Sequence, residues 1–76
     1  MTQPTARERL ERFALELRSG DVELALGMID ALVAEHPEQA ALHWHRARTL
    51  KALAREDAAL AALKRVLELK PDYAPA

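Results

Sequence analysis

Apolar residues recur along this chain at intervals of three and four, the spacing that lines one face of an α-helix. Leu10, Phe13, Ala14 and Leu17 form the first stripe. Thr5 and Glu8 precede it in the arrangement of a capping box, in which the hydroxyl caps an amide of the first turn and the carboxylate reaches back. Met1 to Pro4 reads as a disordered lead. The first helix is predicted to stop at Ser19-Gly20, where glycine supplies the left-handed conformation that ends helices. Asp21 is the next N-cap, its carboxylate meeting free amides at the positive end of the helix dipole. A second helix follows over about Val22 to His36, with Val22, Ala25, Leu26, Ile29, Leu32 and Val33 on its apolar face. Pro37 closes it, because the residue before a proline is pushed out of the helical region. A third helix spans about Glu38 to Leu53, with Trp44, Ala47 and Leu50 on one stripe. After a break at Ala54-Arg55, a fourth runs from about Glu56 to Lys70 and ends at Pro71-Asp72. Ala59, Leu60, Leu63, Val66 and Leu67 form its apolar face.

The four helices are two copies of one unit, about 6–39 and 40–73. Pro37 and Pro71 stand 34 residues apart, and the same shift aligns Leu10 with Trp44, Arg12 with Arg46 and Ala25 with Ala59. It also aligns Leu26 with Leu60, Ile29 with Leu63, Leu32 with Val66 and Val33 with Leu67. Paired helices at a 34-residue period are the pattern of the tetratricopeptide repeat. The run from Asp57 through Ala59, Leu63 and Pro71 to Tyr73 resembles that family's second helix and exit turn, and Ala25, Ile29, Leu32 and Pro37 take the same roles in the first copy. Along the first helices the resemblance is looser. Leu10, Phe13, Ala14 and Leu17 fit the family pattern with Ala in place of the close-packing Gly; Trp44 and Ala47 fit, while Arg48 and Lys51 do not. From Leu10 to Ala25, and from Trp44 to Ala59, is 15 positions, one fewer than is usual in the family, and the turn glycine Gly20 is replaced by Ala54 in the second copy. The resemblance implies an all-α chain of two antiparallel helix-turn-helix repeats, a four-helix fragment of a right-handed superhelix. It also implies a concave face that binds protein and performs no catalysis.

Composition narrows the function further. Half the residues are hydrophobic, mostly Ala and Leu, and the aromatics are Phe13, Trp44 and Tyr73 alone. That balance favours helix over strand. A net charge of −1 gives no general electrostatic reason to bind nucleic acid or an anionic membrane. Arg and Glu run through the first helix, no apolar run approaches the length of a membrane span, and the expectation is a cytoplasmic protein. With no cysteine there is no thiolate chemistry. The sole serine, Ser19, sits at a helix end with no histidine nearby to activate it. His43 and His45 are two positions apart, so on a helix they diverge by about 200° and read as two solvated histidines rather than a metal pair. Gly27 reads as a close-packing point. No enzyme, cofactor or metal is expected. One binding mode of the family is a Lys and Asn clamp on a C-terminal carboxylate. Its positions fall on Leu10, Glu11 and Ala14 and on Trp44, His45 and Arg48, in a chain that has no Asn, so chaperone-tail binding is not expected.

Two features rise above this background. Between Arg18 and Arg46 there is no Lys or Arg, while Asp21, Glu23, Asp30, Glu35 and Glu38 are acidic; Arg46, Arg48, Lys51 and Arg55 then follow without an acid. Either helices two and three attract each other along their solvent edges, or helix three offers a basic inner surface to an acidic peptide. The second reading makes Leu10, Leu17, Trp44, Arg48 and Lys51 the candidate contacts, although Trp44 also suits the gap between the two hairpins. The other feature is unfinished burial, since a repeat unit cannot cover its apolar face alone. Leu60, Leu63, Val66 and Leu67 exceed what helix three can cover, and Tyr73-Ala74-Pro75-Ala76 resembles the opening of a further repeat. The expectation is self-association through this face, as a homodimer or a structural bundle, or else a place within a longer array.

Overall fold

A computed structural model of the chain describes residues 2–73; Met1 and the tail positions 74–76, which carry most of the Tyr73–Ala76 segment, lie outside the described residues. Four helices, α1 (Ala6–Ser19), α2 (Val22–Glu35), α3 (Ala40–Ala52) and α4 (Glu56–Leu69), account for the regular structure, and there is no strand among the described residues.

Local chemistry sets most of these boundaries. The Thr5 hydroxyl accepts from the Glu8 amide at 3.1 Å, and the Glu8 carboxylate accepts from the Thr5 amide at 3.1 Å, closing the capping box that starts α1. Gly20 ends it with φ 97°, and the Asp21 N–H donates to the Glu16 carbonyl at 3.1 Å. Asp21 then caps α2, its carboxylate accepting from the Leu24 amide at 3.3 Å. The second hairpin repeats this closure without a glycine. Ala54 adopts φ 60°, and the Arg55 N–H donates to the Leu50 carbonyl at 2.9 Å. α2 and α4 each stop one residue short of expectation, with His36 and Lys70 as caps. α3 begins two residues later than Glu38. The Gln39 N–H bonds back to the His36 carbonyl at 3.2 Å, so Pro37 and Glu38 belong to the turn, and no side chain caps the helix.

Each helix packs on its neighbours in the chain: α1 on α2, α2 on α3, α3 on α4. Neighbours run antiparallel. An ion pair of 2.6 Å joins Arg9 near the start of α1 to Glu35 at the end of α2, and another of 2.6 Å joins Arg55, past the end of α3, to Glu23 at the start of α2. The core threads through all four helices: Phe13; Ala25, Ile29 and Leu32; Ala47 and Leu50; Ala59 and Ala62. The molecule measures 38 × 25 × 22 Å, longer in one direction as expected for a stack of sequential neighbours.

Three expectations need correction. Val66 is not part of an open face: it is 3% exposed and faces inward, as Leu32, its counterpart 34 residues earlier, does. Gly27 is exposed, with nothing within 4 Å of where a Cβ would stand, so it is no close-packing point. His43 is buried rather than solvated, because its Nε2 donates to the Pro37 carbonyl at 2.8 Å and thereby ties α3 to the turn before it.

Candidate functional site

α1 and α3 together build a surface that grades from core to solvent. Phe13 is 1% exposed, and its ring meets His45 edge-on with centroids 5.7 Å apart. His45 in turn meets the edge of Trp44 at 5.1 Å. The Arg48 guanidinium then lies 5.2 Å from the centre of the half-buried Trp44 ring, within cation–π range. Sequence spacing explains the order. Trp44 and Arg48 are four apart and share a face of α3, while His45 lies a step round the helix, toward α1.

Beside this train runs a groove of about 370 Å³, floored by Leu10, Phe13 and Ala14 and rimmed by Arg7, Glu11, His45 and Arg48. Two guanidinium groups face one carboxylate, so its rim is net basic. His45 Nδ1 is buried there with no hydrogen-bond partner among the described residues. Burial, reinforced by the nearby Arg48 charge, pushes the ring below the ordinary imidazole value and so favours its neutral form.

The structure sets Leu10 and Arg48 in one groove, holds Trp44 beside it under Arg48, and leaves Leu17 and Lys51 outside. Leu17 is half-buried against the core, and Lys51 is exposed near the end of α3. The basic residues around α3 divide into two sets. Arg46 reaches Asp30 at 2.6 Å and Arg55 reaches Glu23 at 2.6 Å, so these two bases bind α2. Arg48 and Lys51 have no carboxylate within 4 Å among the described residues and remain on the surface.

Two further surfaces stand out. A groove of about 840 Å³ opens on the outer side of α1 and α2, where Leu15 and Leu24 are exposed over a floor that includes Met28 and Ala31. Neither leucine belongs to the predicted apolar stripes, and the signal that finds them is the repeat: Leu15 corresponds to Thr49, which is fully buried, with its hydroxyl donating to the His45 carbonyl at 2.7 Å. On α4, Leu60, Leu63 and Leu67 are exposed as expected. Among the described residues, no helix is long and apolar enough to cross a membrane. Compared with protein-family models, with curated proteins and with solved structures, the chain has no match.

Proposed function

We propose that this chain is a non-catalytic protein-interaction module of the tetratricopeptide type, working in the cytoplasm, whose α1–α3 surface takes an acidic peptide or partner segment. The observation that carries the reading is the half-exposed Trp44 with Arg48 over its ring, beside a groove with an apolar floor and a net basic rim. Trp and Arg are the residue types that most often dominate binding energy, and a flat aromatic next to a cation suits a peptide that offers both an apolar side chain and a carboxylate. The 34-residue period and the matching closure of the two hairpins support the family. The larger groove on α1 and α2 lacks an aromatic group, which is why the smaller one is preferred. Net charge near zero favours a protein partner over nucleic acid or membrane.

Trp44 is the only tryptophan, so its fluorescence reports on this surface alone. Titration with a peptide rich in Asp and Glu and carrying one large apolar residue is expected to shift that emission saturably. Arg48→Glu should weaken binding about tenfold, or roughly 1.4 kcal/mol, and added salt should weaken it further. An emission unchanged at high peptide concentration rejects the site.

A second reading has its own observation. Leu60, Leu63 and Leu67 form an uncovered apolar stripe on α4, which favours self-association as a homodimer. The two readings use different faces and are compatible.

A further inference from the structure

The self-association reading is the premise here, and the repeat itself specifies the pairing. Leu26 is 8% exposed and Ile29 0%, both within the core that α2 shares with α3. Their counterparts 34 residues on, Leu60 and Leu63, are 64% and 39% exposed. Val33 packs against the core, whereas Leu67 does not. The outer face of α4 is therefore the surface that, one unit earlier, receives another helix.

One way to cover it with a second copy is to continue the stack, setting α4 of one chain on the outer α1–α2 groove of the next. The charges oppose this. At the α2–α3 junction Arg46 meets Asp30 and Arg55 meets Glu23. Shifted by one repeat, Arg46 corresponds to Arg12, Asp30 to Lys64, Arg55 to Asp21 and Glu23 to Asp57. A head-to-tail junction in the same register thus opposes Arg12 with Lys64 and Asp21 with Asp57. Two attractive pairs become two repulsive ones, which disfavours open polymers.

We infer that α4 instead pairs antiparallel with α4 of a second copy across a twofold axis, with the acidic first turn of each helix against Lys70 of the other. Glu56, Leu60, Leu63 and Leu67 share one stripe at helical spacing, and Lys70 follows at its far end. The stripe reads acid, three leucines, base. Antiparallel pairing brings unlike charges together at both ends and opposes the helix dipoles, while parallel pairing brings like charges together. A register centred between Leu63 and Lys64 sets Leu60 opposite Leu67 and Asp57 opposite Lys70. Glu56, Asp57 and Lys70 are all exposed, and Lys64 flanks the stripe, leaving its ammonium at the wet edge. Being isologous, the contact closes at two chains.

Sedimentation equilibrium over about a hundredfold range of concentration tests this, since dimer population follows mass action. The expected result is a monomer–dimer equilibrium that stops at two chains. Reversing the acids together (Glu56→Lys with Asp57→Lys) should weaken the dimer about tenfold, Lys70→Glu should do the same, and the triple variant should recover it. Circular dichroism verifies folding of each variant; Asp57→Asn and Lys70→Gln carry the same comparison for any that loses helicity. A dimer indifferent to all these changes overturns the antiparallel pairing but keeps self-association. A mass that grows past two chains overturns the twofold. A chain that stays monomeric throughout overturns both the pairing and the self-association reading.

Discussion

Phe13 and Trp44 stand at the two ends of one aromatic contact train, and their burial separates their roles. Phe13 is sealed in the core, while Trp44 keeps part of its ring in solvent under Arg48. Phe13→Ala is expected to cost about 3–5 kcal/mol of stability, from lost transfer energy and a cavity that the helices cannot collapse around. Trp44→Ala should cost about 1–2 kcal/mol, since only part of its surface leaves water on folding. Urea denaturation of the two variants measures both, and an equally large loss for Trp44 would place it in the core and remove it from the proposed binding surface. The distinction was only half legible in the sequence. Periodicity put Leu10 and Phe13 on one stripe and Trp44 on another, but whether an α3 residue meets α1 or solvent depends on how far the two helices lean together. For the same reason His45 was missed. Its spacing from His43 argued against a metal pair and was silent about Phe13, which comes to it from another helix.

At the scale of the elements, the two hairpins solve one problem with different residues. Both turns place a residue in the left-handed region and close with a bond five residues back, yet the first uses Gly20 at φ 97° and the second Ala54 at φ 60°. An L-residue with a Cβ costs about 1–2 kcal/mol there. Ala54→Gly is therefore expected to stabilise the chain by about 1 kcal/mol, the relief of strain being partly offset by the greater freedom of glycine in the unfolded chain. A higher urea midpoint at unchanged slope confirms it, and a lower midpoint rejects the strain. Boundaries with side-chain signals, such as Thr5, Glu8, Gly20 and Asp21, were readable because the bonds that make them are local. The start of α3 was not, since its turn is closed by backbone groups that no residue type marks. The width of the α4 stripe was legible, but not where α3 stops covering it. Val66 lies on the covered side and Leu60, Leu63 and Leu67 beyond it.

Across the whole molecule, the order of packing follows the order of the chain, with α2 and α3 each held between two helices and α1 and α4 held on one side. That arrangement has a kinetic consequence. Contacts between sequential helices close short loops, the class of topology that folds in microseconds to milliseconds. It also lets the ends detach while the middle stays folded, because removing α1 or α4 breaks one of the three main helix–helix interfaces and removing α2 or α3 breaks two. Amide hydrogen exchange is then expected to rise in two steps along the chain. The slowest amides should lie around Ile29, Leu32 and Leu50, where the backbone opens only with the whole molecule. Faster ones should lie in the first turns of α1 and the last turns of α4, which open on their own. Pairing of α4 with a second copy would hold down one of those ends, so its exchange should slow as protein concentration rises while that of α1 stays the same.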